Sequence, residues 1–380
     1  MRVMIIAGEA SGDMHGSGVV RELKRRDPSI DIYGIGGDRM QREGMHLVYH
    51  VRELAVMGFW EVVQQLPLLR SVEKTLRALV NVKRPDVLVL IDYPGFNLRF
   101  ARLAKQHDIR IVYYISPQVW AWNPGRVKKM KGLIDTMLVV FPFESEIYEK
   151  EGINVRFIGH PLLEVLSEPQ PRDAFCKRYG VDGDKLILGL FPGSRRQEME
   201  RVFPVMLGAA RLLHNEFHVQ TVVGVAPMLD PAYVKSFLRD DFPVGLVFNA
   251  TYDVMGNADV ALVTSGTATL ETACFRTPMV VVYKTSWLTY LIGRMLVRIR
   301  NIGLVNIIAG KRVVPELIQG KLTVQRLASE AARLVGDESV RRKISNELSA
   351  VRERLGTIGA SSRAADEILS IAKSVQAVST

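Results

Sequence analysis

"LVTSGTATLE", residues 262–271, breaks an apolar run into small hydroxyl residues and glycine, then places a carboxylate at Glu271. Ser265, Gly266 and Thr267 at the start of a helix leave N–H and hydroxyl groups free for an oxygen-rich ligand. "LFPGSRRQE", residues 190–198, has a similar build: Gly193 and Ser194 keep the backbone open, and Arg195 can form paired hydrogen bonds to phosphate. Two such helix starts and an arginine suit a nucleotide diphosphate held without a metal ion. Glu271 is then placed for ribose hydroxyls. A purely structural N-cap explains the Ser-Gly-Thr turn as well, and on the residues alone both accounts stand.

The first half carries a different set. "GEASGDMHG", Gly8 to Gly16, is neither a G-x-G-x-x-G nor a Walker A loop, yet Glu9, Ser11 and Asp13 are more polar groups than a plain strand-to-helix turn requires. "LIDYPGFN", residues 90–97, ends an apolar run at Asp92, where Pro94 forbids smooth continuation and Gly95 permits a bend. A carboxylate there, at the rim of a low-dielectric cleft, can act as a general base; an Asp capping the next helix is the plainer alternative. His160 in "FIGHP" follows another apolar run and could meet a phosphate or hydroxyl. "YYISPQVWAWNPGR", residues 113–126, sets Tyr113, Tyr114, Trp120 and Trp122 beside Arg126, Lys128, Lys129 and Lys131, which fits sugar stacking, nucleic acid, a membrane interface or simple core packing. Two apparent metal motifs fail: "HNEFH", His214 to His218, has its Glu out of place for H-E-x-x-H, and "DGD", Asp182 to Asp184, precedes a strand instead of following one.

Short apolar runs alternating with helical stretches position these residues, the pattern of parallel βαβ units. The strand candidates are "RVMIIAG", "DIYGIGG", "DVLVLID", "RIVYYIS", "TMLVVFPF" and "VRFIGHP", then "KLILGLFPGS", "VQTVVGVA", "VGLVFNA", "DVALVTSG" and "PMVVVYK". The Pro- and charge-rich "EVLSEPQPRDAF" divides two α/β halves, and from about residue 321 the chain is helical and polar. Parallel sheets bind ligands beyond the carboxyl ends of their strands, where this chain concentrates Gly, Ser, Asp, Pro and His. The expected architecture is α/β, two Rossmann-like parallel-sheet domains facing across a cleft. Residues 1–165, completed by a C-terminal helix over 355–380, form the first and residues 166–354 the second.

The 380 residues are 48% hydrophobic and 24% charged, ordinary for a folded soluble chain. The opening "MRVMIIAGEA" is too short for a signal sequence and fits a first buried strand. No charge-free apolar run reaches the roughly 18 residues of a bilayer span. Two cysteines, Cys176 and Cys274, support neither a disulfide framework nor a metal cage and point to a reducing cytosol. The net charge of +10 suits nucleic acid, anionic lipid or a phosphorylated substrate, or is only a basic surface. "SWLTYLIGRMLVRIRN", residues 286–301, mixes bulky apolar residues with Arg294, Arg298 and Arg300, and residues 56–72 are similarly apolar; two such segments favour lipid contact over two buried helices.

Taken together, "GEASGD", "ELAVMGFWEV", "IDYPGFN", "SPQVWAW", "PFE", "FIGHPL", "PGSR", "SGTATLE", "PMVVVY", "NIIAG" and "PEL-Q" resemble the lipid-A-disaccharide synthase family, in the family's order from residue 8 to residue 319. The resemblance implies an inverting glycosyltransferase of the GT-B type. Its donor would be UDP-2,3-diacylglucosamine, its acceptor 2,3-diacylglucosamine 1-phosphate (lipid X), and its product the β-1,6-linked lipid A disaccharide 1-phosphate, with UDP released. Asp92 matches the family's general base. Ser194, Arg195, Ser265, Gly266 and Thr267 would hold the diphosphate, Glu271 the ribose, and Asn306 of "LVNIIAG" would lie near the donor, with Val305 where the family more often has Pro. Glu9, Ser11 and His160 would position acceptor or phosphate. No cofactor or metal is expected, and no nucleic acid. The protein would work on the cytoplasmic face of the inner membrane, peripherally bound to its anionic surface, and a homodimer is left open. Rivals are another UDP-sugar enzyme of the same fold, such as a UDP-N-acetylglucosamine epimerase or a peptidoglycan glycosyltransferase, a nucleic-acid-binding module, and a non-catalytic peripheral membrane protein.

Overall fold

The computed structural model describes residues 1–54, 66–118, 125–239, 242–287, 290–291 and 301–378. These form two compact units: Met1–Glu164 with Leu355–Thr380, and Val165–Arg354.

The first unit is built on seven parallel strands: β1 (Arg2–Ala7), β2 (Asp31–Gly36), β3 (His46–His50), β4 (Val87–Ile91), β5 (Arg110–Tyr114), β6 (Thr136–Val139) and β7 (Val155–Phe157), in the order β3-β2-β1-β4-β5-β6-β7. All five residues of β4, VLVLI, are buried, as expected of a central parallel strand covered on both faces. The helix Ala10–Arg26 follows β1 with Asp13 in its first turn and Lys24, Arg25 and Arg26 in its last, the distribution the helix dipole favours. The C-terminal helix Ala360–Val378 packs against it and against β4 and β5. Arg26 bonds Asp366 at 2.9 Å and Ser362 Oγ at 2.8 Å, while Glu164 accepts from the Ser361 N–H at 2.8 Å.

The second unit has six parallel strands, β8 (Ile187–Phe191), β9 (Gln220–Val225), β10 (Val244–Phe248), β11 (Val260–Thr264), β12 (Met279–Tyr283) and β13 (Glu316–Ile318), in the order β10-β9-β8-β11-β12-β13. Two strands escape a search for apolar runs. In β3, HLVYH, polar residues flank a short apolar centre and the strand lies at a sheet edge, with a register irregularity opposite Gly34 and Ile35. The three-residue β13, ELI, is an edge of the second sheet, and its glutamate is a buried hydrogen-bond acceptor.

Cys176 and Cys274 are both buried and unbridged. Among the described residues no helix is long and apolar enough to cross a membrane.

Candidate active site

Sequential strand order reverses between β1 and β4 in the first unit and between β8 and β11 in the second. At such reversals the loops leave in opposite directions and open a crevice outside the carboxyl ends of the strands. The loops at these four strand ends are the Gly8, Asp92, Gly193 and Ser265 loops.

In the first unit β1 runs into Gly8 and Glu9, and β4 into Asp92 and Tyr93. A Cβ on Gly8 would overlap the Tyr93 ring, so glycine is what lets the two loops touch. Asp92 and Tyr93 both have φ of +46°, a left-handed pair that L-residues rarely adopt. The Asp92 carboxyl is raised to about 6, mainly because burial penalises its charge and further because Glu9 repels it; a bond from the Tyr93 backbone acts in the opposite sense. Glu9 and Ser11 are exposed, at and just inside the start of the Ala10–Arg26 helix.

Asp13 has a structural task. Its carboxylate accepts from the N–H groups of Gly37 at 2.7 Å, Met40 at 3.0 Å and Arg39 at 3.2 Å, and so caps the short helix Asp38–Arg42. His160 is buried, with its ring centroid 5.2 Å from Phe141 and 6.2 Å from His15. Burial, then the neighbouring His15, lowers His160 to about 3, so the imidazole is neutral at ordinary pH. Its Nδ1 accepts from the Leu162 N–H at 3.1 Å, which leaves the ring proton on Nε2.

The "SPQVWAW" and "PFE" motifs meet as hydrogen-bond partners. Ser116 Oγ donates to buried Glu144, which also accepts from the Phe141 N–H at 3.2 Å, and the Tyr148 hydroxyl donates to the Pro117 carbonyl at 3.2 Å. Trp120 and Trp122, most of 56–72, and Arg294, Arg298 and Arg300 lie outside the described residues. Of the 286–301 stretch, Trp287 is 72% exposed and Leu291 52%.

In the second unit, Gly193, Ser194, Arg195, Ser265, Gly266, Thr267 and Glu271 line one cavity of about 640 Å³. Gly193 at φ +102° and Gly266 at φ +149° hold backbone conformations that suit glycine. Gly266 is the N-cap of the helix Thr267–Cys274 and has no side chain to cap it; the Thr269 N–H bonds the Gly266 carbonyl at 3.1 Å, and among the described residues no side chain bonds the N–H groups of Thr267 and Ala268. Ser265 is fixed by its N–H to the Val282 carbonyl at 2.9 Å and its Oγ to the Ile302 carbonyl at 3.3 Å. Arg195 is exposed, and its guanidinium pairs with Glu198 at 3.3 Å. Burial raises the Glu271 carboxyl, while a 3.1 Å bond from the Tyr252 hydroxyl works against that rise.

Asn306 is placed apart from these. It is fully buried and does not line the cavity: its amide donates to Val314 O at 2.9 Å and Glu316 Oε1 at 2.7 Å, and its Oδ1 accepts from Val313 and Val314. Glu316 in turn accepts from the N–H groups of Ile302 at 2.9 Å and Gly303 at 3.0 Å. Asn306 thus supports the segment that receives the Ser265 hydroxyl. Glu316, within "PEL-Q", and Tyr252 and Asn249 carry no role in the motifs; the latter two line the cavity just past β10. The strand-end rule applied to "VGLVFNATYD" would have found Asn249 and Tyr252. "DGD" lies at an exposed turn before β8, and His214 bonds the Val219 carbonyl at 3.0 Å.

A lipid-A-disaccharide synthetase family model matches residues 3–371. The chain belongs to the lipid-A-disaccharide synthetase family. A lipid-A-disaccharide synthase of Syntrophus aciditrophicus is 46% identical over 374 residues, covering 98% of each chain. Glycosyl transfer that forms the lipid A disaccharide is accordingly the activity of this enzyme, and a sugar nucleotide its donor class. Among solved structures, the calicheamicin glycosyltransferase CalG4 superposes with a TM-score of 0.63 at 16% identity, over 97% of this chain and 98% of that one. A UDP-GlcNAc 2-epimerase from Neisseria meningitidis, bound to UDP-GlcNAc, gives 0.66 at 13% identity, over 97% and 100%. At such identities the likeness speaks for the fold, two Rossmann-like units of the GT-B class.

Proposed function

We propose that the enzyme joins UDP-2,3-diacylglucosamine to 2,3-diacylglucosamine 1-phosphate with inversion, making the β-1,6-linked disaccharide 1-phosphate and UDP. The observation that carries this is Asp92, a carboxylate raised to about 6 at the strand reversal of the first unit. The acceptor's 6-hydroxyl oxygen attacks C1 of the donor sugar. The bond from C1 to the β-phosphate oxygen breaks, the hydroxyl proton passes to Asp92, and UDP leaves with the electron pair. A base whose proton affinity lies just below neutral pH is ionised when the reaction starts and still basic enough to take the proton.

The cavity of the second unit suits UDP. Arg195 and the uncapped helix start at Gly266 and Thr267 place positive charge and N–H donors where negative charge develops on the diphosphate. Glu271, oriented by Tyr252, is suited to the ribose. Arginine and backbone donors supply the charge a metal would otherwise bring, so turnover is metal-independent. Glu9, Ser11 and His160 serve the acceptor side. The net charge of +10 and exposed Trp287 and Leu291 favour peripheral binding to the anionic cytoplasmic face of the inner membrane.

The test is UDP release matched to disaccharide formation from the two named lipids, with and without EDTA. Equal rates in both conditions support the reading. UDP-sugar binding without turnover on these lipids would retain the nucleotide site and remove the acceptor assignment.

A further inference from the structure

The left-handed pair at Asp92 and Tyr93 needs an explanation. Each such non-glycine residue costs about 1–3 kcal/mol, and the conformation persists only where its surroundings over-determine it. Two fully buried side chains do so here. Asn97 lies in the helix Pro94–Lys105, and its Nδ2 donates to the Asp92 carbonyl at 2.8 Å and to the Ile91 carbonyl at 3.2 Å. The same nitrogen stands 3.5 Å from the Ile6 carbonyl, at the end of β1. Tyr113 of β5 donates its hydroxyl to the Asp92 carbonyl as well.

The backbone closes the arrangement. The Asp92 N–H donates to the Tyr114 carbonyl at 3.3 Å, and the Asn97 N–H to the Tyr93 carbonyl at 3.1 Å. The Tyr93 ring rests on Gly8. With its carbonyl drawn inward by two donors, the residue has its backbone fixed, and so the point and direction from which its side chain leaves the chain.

We infer that Asn97 and Tyr113 are positioning residues for the reaction, aiming the Asp92 carboxylate through its own carbonyl oxygen. The inference rests on Asp92 being the base. Neither side chain needs to touch substrate; both donors converge on the one carbonyl that sets the backbone of the base. Misplacing a reacting group by about 1 Å costs on the order of 100-fold in rate. A relaxed turn would also admit water to Asp92 and lower its proton affinity.

The test compares Tyr113→Phe, Asn97→Ala and Asp92→Asn in the full chain. Donor KM, kcat and the pH dependence of kcat are measured on the two substrates, with thermal melting and UDP affinity as controls. Asn97→Ala is expected to lower kcat by about 100-fold and Tyr113→Phe by about 10-fold, at unchanged donor KM and UDP affinity. In both, the acid limb of the kcat profile moves to lower pH, a change that loss of stability alone does not produce. If Asn97→Ala does not fold, Tyr113→Phe, which deletes one oxygen, decides. Folded variants with wild-type kcat and acid limb, beside an inactive Asp92→Asn, would overturn the positioning role and leave the base in place. Wild-type turnover by Asp92→Asn would remove the base, and the positioning role with it.

Discussion

The Asn306 amide donates to Glu316 at 2.7 Å inside the second unit, and Glu316 passes the connection to the Ile302 N–H, whose own carbonyl receives Ser265. A residue remote from the cavity surface thereby holds one that lines it. Asn306→Ala takes the amide away from the N–H groups of Val313 and Val314 and from the Val314 carbonyl, and removes one donor from Glu316, which keeps those of Ile302 and Gly303. Each unsatisfied buried group costs about 1–3 kcal/mol. The variant is expected to melt at least about 5 °C below the wild type and to bind UDP more weakly. Calorimetry and UDP titration check this; unchanged values in both would show that the network is dispensable.

Arg195 is expected to contribute one or two charge-assisted bonds to the diphosphate. Arg195→Ala then weakens UDP binding by about 10–100-fold. EDTA changes neither affinity nor rate in the wild type. Undiminished affinity in the variant would place the diphosphate elsewhere, and loss of turnover with EDTA would show that a metal is required.

Glu9 offers a test of sign. Its negative charge raises the Asp92 carboxyl, so Glu9→Gln lowers that proton affinity. A base must be ionised, so kcat/KM in the wild type is expected to rise with pH through about 6. In Glu9→Gln the same rise falls at lower pH. A limb that stays in place or moves upward contradicts the electrostatic coupling.

His15 and His160 make the first unit sensitive to acid. Burial lowers them from 6.5 to about 4 and about 3. The unfolded chain takes up protons as pH falls through 6.5, whereas the folded chain does not until far lower, so stability present above 6.5 is lost progressively below it. Asp92, raised in the folded state, offsets part of this. The net loss between pH 7 and pH 5 is about 2–4 kcal/mol, measured by urea unfolding. Replacing both histidines with glutamine flattens the dependence; an unaltered slope would assign the acid sensitivity to other groups.

The strands with long apolar cores, such as VLVLI and ILGLF, were legible because parallel strands are buried on both faces. β3 and β13 were not, since polar residues flank the apolar centre of HLVYH and the three residues of ELI include a glutamate. The loops at strand ends were legible by residue type: Gly193, Ser194, Arg195 and the Ser265–Thr267 turn advertise open backbone and donors. Whether a polar residue faces a ligand or the protein itself was not. Asp13 and Asn306 stand in motifs as prominent as Asp92, yet Asp13 bonds backbone 24 to 27 residues away and Asn306 bonds Glu316. Such partners are set by topology, which residue type does not encode. Asn97 is the converse, the last residue of "LIDYPGFN", with no role that its type suggests until the fold turns its amide onto the Asp92 carbonyl.

The most direct test of the central claim is kcat for Asp92→Asn beside the wild type at pH 7.5, on UDP-2,3-diacylglucosamine and lipid X, with UDP affinity measured on the same preparations. Loss of a general base predicts a fall of about 100- to 10,000-fold with UDP affinity retained. A variant that turns over at the wild-type rate would contradict the assignment of Asp92 as the base.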